Sequence, residues 1–478
     1  MRDFTLAVYH RLPAPLRSAV ATCRGSRLRQ LRYGPETERL VAEARARETW
    51  SAARWNEWRA ERLARVLDRA ATRVPYYREY WAGRRRCGDR RPWDRLENWP
   101  ILEKDSLRMM PERFVADDCN LRKMFHEQTS GTTGKPIELW LTRETVREWY
   151  SLFELRSRLW NGVSRRDRWA ILGGQLVVPT SRRKPPFWVW NAALNQLYCS
   201  SYHLAPDLMP AYFDAWHRYE VSYVVGYSSA LYELAEMALR IGRDDIRLSV
   251  AITNAEPLFD YQRKAIAAAF QCQVRESYGM SELVAAASEC DAGRMHEWPE
   301  TGVVEFVDGG DPVDAGRGGE LIATGLLNED MPLVRYRVGD RATRGAPCAR
   351  CSCGRRLPIF GSIEGRSDDT LYTRDGRRIG RLDPVFKTAL PIKEAQIIQE
   401  SIDRIRVRYV PLPGFDRAAG HRLGDAIRAR FGDVEVVLEP LPFVPRGANG
   451  KFRSVVCAIP PADRPAGRQQ CEGVSAVG

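Results

Sequence analysis

Residues 221–241 read VSYVVGYSSALYELAEMALRI, and this stretch indicates the class of fold. It opens with the short apolar run Val221–Val225, which is typical of a buried strand, and continues into a helical pattern over Leu231–Ile241. The alternation recurs around it, with apolar runs at Trp169–Leu172, Val250–Ile252 and Val303–Val307 and a helical pattern at Tyr261–Phe270. Strands that alternate with helices predict an α/β architecture of packed sheets and helices.

The composition and length limit the class of protein and the number of domains. Of its 478 residues, 44% are hydrophobic and 28% are charged, which allows a large core and excludes a disordered chain. At roughly 100–200 residues per domain, this length corresponds to about two to four structural units. The formal net charge is +13, yet only eight of the 74 basic residues are lysine. A solvated, arginine-rich surface explains this excess better than nucleic-acid binding does.

The sequence shows neither the pattern of a secretory signal nor that of a membrane span. Met1 to Thr22 contains arginines, an aspartate and two prolines, so it lacks the apolar region of a signal peptide. The longest stretch without formal charge, Pro185 to Pro206, carries amide and hydroxyl groups that would be costly in lipid. It is interpreted as a core or pocket wall. We therefore expect a cytoplasmic protein whose eleven cysteines are mainly reduced thiols.

Helical patterns dominate the beginning of the chain. Residues 1–44 form a basic segment that could contain a short amphipathic helix resting on a partner or a peripheral membrane surface, although ordinary packing is the simpler interpretation. Its apolar positions would be Phe4, Val8, Tyr9 and Leu12. Apolar residues at helical spacing predict a helical run over residues 37–72. Pro75 should end that run, because proline disfavours helix at the residue before it.

Beyond this segment, we expect two domains and a tail. Residues 45–365 carry the α/β pattern and should form a large N-terminal domain. Residues 366–460 have shorter segments and denser charge, which predicts a small α+β domain with a helix over Leu423–Phe431 and a strand over Val434–Glu439. Residues 461–478 are rich in Pro, Gly, Gln and Ser, and we expect them to be disordered.

The strongest local motif is Thr129-Ser130-Gly131-Thr132-Thr133-Gly134-Lys135-Pro136. Its two glycines let the backbone approach an anion closely, and its hydroxyls and lysine can donate hydrogen bonds to phosphate oxygens. It differs from the usual P-loop, which has four residues between its glycines and a hydroxyl residue after the lysine. A flexible polar turn between strands is the alternative reading of the same residues.

Four further motifs follow in order along the chain. Each has a local structural explanation as well, such as a strand-to-helix turn, a glycine turn with a surface ion pair, or an Asn-Gly hairpin. An aromatic residue can stack on a base, and a carboxylate can hold magnesium or accept the hydroxyls of a ribose. The motifs are Tyr278-Gly279-Met280-Ser281-Glu282, Tyr336-Arg337-Val338-Gly339-Asp340, Gly365-Arg366-Ser367-Asp368-Asp369 and Asn449-Gly450-Lys451.

In this order the motifs resemble those of the adenylate-forming enzymes, the superfamily of acyl-CoA synthetases, peptide-synthetase adenylation domains and luciferases. The resemblance covers residues 45–460. Three further stretches are similar to the phenylacetate–CoA ligase family: Val74 to Arg78, Pro100 to Lys104 and Asn254 to Pro257. Others resemble the branch of that family found with capsular and surface polysaccharide biosynthesis: Asp375 to Asp383, Phe386-Lys387 and Glu394 to Gln399.

The resemblance implies a role for each matching residue. Thr129 to Lys135 would close on the β- and γ-phosphates of ATP, and Glu282 would hold Mg²⁺. Lys451 would reach in from a mobile C-terminal lid and stabilise charge as a carboxylate attacks the α-phosphate, with Asp368 as the hinge. Further nucleotide contacts would come from Ala255, Glu256, Pro257, Tyr278, Gly279, Asp340 and Arg366. Val338 and Asn254 depart from the residues common in the family, which puts fine details of the nucleotide contacts in question.

A second constellation has metal-binding chemistry. Cys348, Cys351 and Cys353 lie within six residues, and Cys290 and His296 lie in a separate polar stretch. The phenylacetate–CoA ligase family is similar in having a zinc-type site, for which the best match is Cys290, His296, Cys351 and Cys353, with Cys348 as a competing ligand. Four such ligands suit a closed structural zinc. The alternative is a set of reduced cysteines in a turn.

Three functions remain open at this stage. The first is an AMP-forming acid–thiol ligase that uses ATP, Mg²⁺ and CoA. The second is an activating enzyme of surface polysaccharide assembly that transfers an acyl group to a sugar or carrier. The third is a degenerate nucleotide-binding scaffold, which the presence of every main motif argues against. A homodimer would be typical of the family, and no nucleic-acid partner is expected.

Overall fold

The computed structural model describes residues 2–128, 137–255, 258, 260–308, 311–345, 351–363, 371–375, 378–379, 390–442, 444, 455–460 and 463. Several predicted site residues therefore lie outside the described residues. They are Thr129 to Lys135, Glu256, Pro257, Cys348, Arg366, Asp368 and Lys451.

The helices begin and end where the sequence supplies suitable residues. Ser51 caps α4 by accepting a hydrogen bond from the amide of Arg54, and Pro75 opens α5. The predicted helical run over 37–72 is two helices, α3 and α4. The α-helices are α1 Arg2–Arg11, α2 Ala14–Arg32, α3 Thr37–Arg47, α4 Ala52–Arg73, α5 Pro75–Arg86, α6 Lys104–Met109, α7 Arg143–Phe153, α8 Pro210–Arg218, α9 Ser228–Arg240, α10 Asp260–Phe270 and α11 Arg417–Phe431.

The strands are short, as the sequence predicts. They are β1 Phe125–Gln128, β2 Glu138–Leu141, β3 Trp169–Gly173, β4 Trp188–Asn191, β5 Gln196–Ser200, β6 Tyr223–Tyr227, β7 Val250–Asn254, β8 Gln273–Gly279, β9 Ala286–Glu289, β10 Met295–Glu297, β11 Gly302–Asp308, β12 Asp311–Pro312, β13 Gly318–Gly325, β14 Tyr336–Arg344, β15 Phe360–Ile363, β16 Leu371–Tyr372, β17 Arg378–Ile379, β18 Ile392–Ser401, β19 Arg404–Pro411, β20 Glu435–Pro440 and β21 Val455–Cys457.

Eight of the described strands form the largest sheet, in the order β10-β9-β8-β7-β6-β3-β5-β4. The central pairs β8/β7, β7/β6, β6/β3 and β3/β5 are parallel, and the outer pairs are antiparallel. Helices α8, α9 and α10 bury their apolar faces against it, in a cluster that includes Leu172, Phe213 and Leu234. The predicted α/β class is confirmed. Because the central strands are parallel, their carboxyl ends lie at one edge of the sheet.

A second sheet is antiparallel and has the order β12-β11-β13-β14-β15. Helices α4 and α5 pack against it through a core that includes Tyr77, Trp99 and Tyr336. Leu102 lies beside Tyr336 in a parallel bridge, with backbone hydrogen bonds of 2.9 and 3.0 Å to the neighbours of Tyr336. The stretch before α6 is thereby fixed to β14.

The described C-terminal residues form a mixed sheet, β20-β19-β18-β21, with α11 packed on it. The helix predicted over Leu423–Phe431 lies within α11, and the strand predicted over Val434–Glu439 corresponds to β20. Asp416 caps α11 by accepting a hydrogen bond from the amide of Ala419 at 2.7 Å. The division of the chain at residue 365 and the disordered tail stay predictions.

The N-terminal helices pack on the outer edge of the large sheet. The hydroxyl of Ser18 accepts a hydrogen bond from the amide of Trp190 at 3.2 Å, and Gly25 of α2 lies directly against Asn191. Val8 of α1 is exposed, whereas Tyr9 of α1 and Leu12, which follows the helix, are half-buried. The predicted apolar face is therefore only partly covered by protein. Among the described helices, none is both long and apolar enough to cross a bilayer.

Candidate functional site

The carboxyl ends of β7 and β8 bring two predicted nucleotide-binding motifs side by side. The two strands are parallel with Thr253 opposite Glu276, and the hydroxyl of Ser277 donates to the carbonyl of Thr253 at 2.9 Å. Ala255 follows β7 with a φ of 65°, a left-handed conformation that is uncommon for alanine. Tyr278 lies at the end of β8 and is half-buried. A ring at such an edge can present its face to a flat ligand.

Tyr278 is fixed by the motif predicted to bind ribose. Its hydroxyl donates a hydrogen bond to Oδ2 of Asp340 at 2.9 Å, across 62 positions of sequence. Asp340 follows Gly339, whose φ of 79° requires glycine-like freedom. The residue predicted to stack on adenine and the one predicted to accept the ribose hydroxyls are therefore in direct contact.

Glu282, the predicted magnesium ligand, is also held by a hydrogen bond to β14, the strand that carries Asp340. The hydroxyl of buried Tyr336 donates to Oε1 of Glu282 at 2.9 Å. No described residue donates a hydrogen bond to its Oε2. A carboxylate with one oxygen anchored and the other directed elsewhere suits a hard cation such as Mg²⁺.

Lys104 adds a contact that was not foreseen from its motif. Its ammonium donates to the carbonyl of Val338 at 2.7 Å and lies 5.7 Å from the ring centroid of Tyr336. Val338 is one of the departures from the family pattern. Because Lys104 binds the backbone carbonyl of residue 338, this contact does not depend on the side chain at that position.

Beside Gly279 lies an aromatic wall that the motifs do not include. A Cβ at Gly279 would lie 3.5 Å from Trp149 and 3.9 Å from Ala286. The rings of Trp149 and Trp298 are 5.3 Å apart between centroids. The wall comes from α7 and from the residue after β10, so no local sequence signal relates it to Tyr278.

The predicted metal ligands also come together. The ligand atoms of Cys290, His296, Cys351 and Cys353 all lie within 4.8 Å of one another. The Sγ atoms of Cys290 and Cys351 are 3.6 Å apart, and Sγ of Cys353 lies 3.4 Å from Nε2 of His296. The short pairing of β9 with β10 brings Cys290 and His296 close to each other. We call these four residues the Cys/His cluster.

The cluster has the protonation chemistry of a metal site. Burial lowers the pKa of His296, so its imidazole is neutral at pH 7, and its Nδ1 lies 3.2 Å from the carbonyl of Leu357. Burial raises the pKa of the Cys290 thiol to about 12, so a metal would have to displace its proton. Zinc bonds of about 2.0–2.3 Å imply ligand atoms roughly 3.3–3.8 Å apart in a tetrahedron. The two short separations match this spacing, so the residues fit zinc.

A buried ion-pair network lies next to the cluster. Arg156 makes two hydrogen bonds to Glu300, of 2.6 and 2.8 Å, and both side chains are fully buried. Glu48 accepts a hydrogen bond from the indole of Trp160 at 2.8 Å and lies 3.4 Å from Arg355. Since Arg355 follows Cys353 by two residues, the network holds the loop that carries two of the cluster's cysteines.

Comparisons with known proteins agree with this geometry. The model of the CapK C-terminal domain matches residues 371–458. Protein CapK of Staphylococcus aureus is 26% identical over 383 residues, which cover 76% of this chain and 80% of that protein. Phenylacetate-coenzyme A ligase of Pseudomonas putida is 27% identical over 346 residues, which cover 68% of this chain and 74% of that protein.

Over most of its length the chain is therefore similar to protein CapK and to phenylacetate-coenzyme A ligases. A structure of 2-hydroxyisobutyryl-CoA ligase in complex with 2-HIB-AMP and CoA has the same fold as this chain. Its TM-score is 0.55 at 19% identity, with 86% of this chain and 91% of that chain covered. The roles of individual residues rest on the contacts described above and on the motif resemblance.

Proposed function

We propose that the protein activates a carboxylic acid with ATP, forming an acyl-adenylate and pyrophosphate, and then transfers the acyl group to CoA. The observation that carries this proposal is the direct contact of Tyr278 with Asp340, which joins two motifs separated by 62 positions. A base-stacking ring and a ribose-binding carboxylate that touch each other form one nucleoside site. The similarity to phenylacetate-coenzyme A ligases supports the choice of reaction.

The chemistry explains why a nucleotide is needed. A carboxylate is a poor acylating agent because oxide is a poor leaving group, whereas AMP leaves readily. In the first step a carboxylate oxygen attacks the α-phosphorus, and pyrophosphate departs with the electrons of the broken bond. In the second step a thiolate attacks the acyl carbon, and AMP departs. The first step concentrates negative charge, so it requires nearby cations.

In this scheme, the described residues bind and orient the nucleotide. Tyr278 presents its ring to adenine while its hydroxyl fixes Asp340, whose carboxylate accepts the ribose hydroxyls. Glu282 would hold Mg²⁺, which would neutralise phosphate charge. Thr129 to Lys135 and Lys451 lie outside the described residues, and we assign them the phosphate contacts and the transition-state contact from the motif resemblance alone.

The aromatic wall beside Gly279 indicates where the acid would bind. Trp149 is half-buried and lies next to the turn that carries Tyr278, with Trp298 and Ala286 buried behind it, so an acyl group joined to the α-phosphate could lie against the Trp149 ring. Flat apolar side chains favour an aromatic or other apolar acid over a small polar one.

A second acceptor is favoured by the C-terminal region. The match of residues 371–458 to the CapK C-terminal domain, together with the similarity to protein CapK, supports a role in surface polysaccharide assembly. The acyl group would then pass to a sugar or a carrier after the same adenylation step. A scaffold that binds nucleotide without turnover is the least favoured reading.

We further propose that the Cys/His cluster binds one structural zinc. Its support is the convergence of four suitable ligand atoms on one point and the neutral imidazole of His296. All four ligands come from the protein, which leaves no open coordination position for substrate. The metal would therefore stabilise the fold and take no part in adenylation.

One assay separates these functions. Pyrophosphate release is measured with ATP, Mg²⁺ and a panel of aryl, aliphatic and amino acids, and AMP release is then measured with and without CoA. Acid-dependent pyrophosphate release is expected, and AMP release that requires CoA would favour the ligase over the polysaccharide role. If the protein binds nucleotide but releases no pyrophosphate with every acid of the panel, both the ligase function and the polysaccharide function are overturned, and the scaffold is favoured.

A further inference from the structure

Exposed apolar side chains are concentrated on the two N-terminal helices. Four of the eight exposed large hydrophobic side chains among the described residues lie on α1 and α2. They are Leu6, Val8, Leu16 and Val20, and Leu16 retains 52% and Val20 47% of their full exposure. Such a concentration within two adjacent helices marks an interaction surface, because scattered exposed aliphatic residues would need no explanation.

One face of α2 carries this surface. Leu16, Val20, Cys23 and Arg27 are spaced by four, three and four residues, so they lie along one side of the helix. All four are exposed. Gly25, by contrast, is buried against β4, so α2 is held on the sheet by a different side. The exposed stripe is apolar in its first half and basic towards its end.

The same segment is strongly positive. Residues 1–35 contain seven arginines and a single acidic residue, Asp3. Arg11, Arg24, Arg27 and Arg29 are exposed. None of these four forms an ion pair with an acidic side chain of the described chain. An uncompensated positive charge beside exposed aliphatic side chains attracts a surface that is both anionic and apolar.

We propose that α1 and α2 dock the protein on an anionic phospholipid bilayer. Leu16 and Val20 enter the boundary between headgroups and acyl chains, and the arginines contact lipid phosphates. A nucleic acid would leave the aliphatic stripe unused, and the stripe has no exposed aromatic among its described side chains for stacking on bases. A second copy of the chain would bring two positive surfaces together. This inference does not depend on the proposed adenylation activity.

The test measures sedimentation of the full-length protein with vesicles of phosphatidylglycerol and phosphatidylcholine in a 3:7 ratio (about 30% anionic lipid) and with vesicles of phosphatidylcholine alone. The protein should bind the anionic vesicles and release them as salt is raised. Each arginine near an anionic surface raises binding about fivefold, so Arg24→Glu combined with Arg27→Glu should weaken it by roughly 25-fold or more.

A second variant tests the apolar stripe and has a matched control. Leu16→Glu combined with Val20→Glu should lower binding at least about tenfold. Leu239→Glu combined with Ile241→Glu, whose parent side chains are 48% and 43% exposed on and just after α9, should leave it unchanged. Unaltered melting temperatures of the variants, and unaltered pyrophosphate release in solution, show that only docking has changed.

Three results would overturn the proposal. The first is equal binding to neutral and anionic vesicles. The second is an equal loss of binding in the α2 and α9 variants. The third is a change of oligomeric state in the Leu16 and Val20 variant, seen by sedimentation velocity, with vesicle binding retained. That last result would make the stripe a contact between copies of the chain.

Discussion

The contact between Tyr278 and Asp340 gives the sharpest prediction about the nucleotide site. Tyr278→Phe keeps the ring and removes only the hydroxyl that donates to Asp340 at 2.9 Å. A hydrogen bond to a charged acceptor contributes about 1.5–3 kcal/mol when buried. Both side chains are half-buried, so we expect about 1 kcal/mol, which corresponds to roughly a fivefold rise in KM for ATP.

Asp340→Ala should lower the affinity for ATP far more, because it also removes the carboxylate that we propose accepts two ribose hydroxyls. Two charge-assisted hydrogen bonds contribute about 3–5 kcal/mol together, so kcat/KM for ATP should fall by on the order of 10²–10³-fold. Tyr278→Ala removes the ring as well, and its loss should exceed that of Tyr278→Phe by about 1–3 kcal/mol of stacking energy.

The assay is acid-dependent exchange of pyrophosphate into ATP, measured for each variant and for Asp340→Ala combined with Tyr278→Phe. In the double variant, Tyr278→Phe should cause almost no further loss of activity, because Asp340, which accepts the hydrogen bond of the Tyr278 hydroxyl, is already absent. Two outcomes would refute the reasoning: Tyr278→Ala behaving like Tyr278→Phe, or additive losses in the double variant. Either would mean that the ring and the carboxylate do not share one nucleoside.

Four other predictions follow from the remaining features. Lys451→Ala should lower adenylate formation about 10²–10³-fold and change ATP binding much less, as tested by pyrophosphate exchange beside ATP titration. Cys351→Ser should lower zinc content, measured by elemental analysis, and melting temperature, with little change in KM for ATP. Glu300→Gln removes the doubly hydrogen-bonded ionic partner of the fully buried Arg156, which keeps only Glu48 at 3.8 Å, and should cost about 3 kcal/mol in urea unfolding. Burial raises the pKa of Glu276 from an ordinary 4.5 to about 7. Between these pH values the folded state therefore binds more protons than the unfolded state. Stability should fall as pH rises through this window. Glu276→Gln should reduce the decline, most of all above pH 6, because buried Glu297, with its pKa raised to about 6, contributes to the lower part.

Exposed residues of the same types serve as controls for these variants. Lys264→Ala, Cys23→Ser and Glu43→Gln each change a side chain that is exposed in the structure, and each should move its readout little. Zinc-free purified protein with freely titratable thiols would exclude the structural zinc, and normal exchange activity in Lys451→Ala would remove Lys451 from the reaction.

The sequence was a good guide wherever a signal is local. Short apolar runs predicted β3, β6, β7 and β11, and the helix predicted over Leu423–Phe431 lies within α11. The break before Pro75 was also predicted correctly, because proline constrains its immediate neighbour. The end of α3 at Arg47 was not predicted, since helical periodicity continues across the short gap to α4.

The site was predictable in its residues and only partly in its contacts. Tyr278, Glu282 and Asp340 were named from motif order, and the structure shows how they are held. The contacts of Lys104 with Val338, and of Trp149 with Gly279, were missed because they join segments far apart in sequence. Each pairing joins a helix to a strand that is far away in the chain, and a single sequence carries no signal for such packing.

The Cys/His cluster also has a topological consequence. Since Cys290 and Cys351 meet, with 3.6 Å between their sulfurs, the chain between them forms a closed circuit. That circuit contains β11, β12, β13 and β14, and hence Asp340. β14, which carries Asp340, is therefore part of a chain segment whose two ends are held together at the cluster. Hydrogen exchange across β11 to β14 should accordingly rise in concert when the cluster is broken, while β3, β6 and β7 keep their protection.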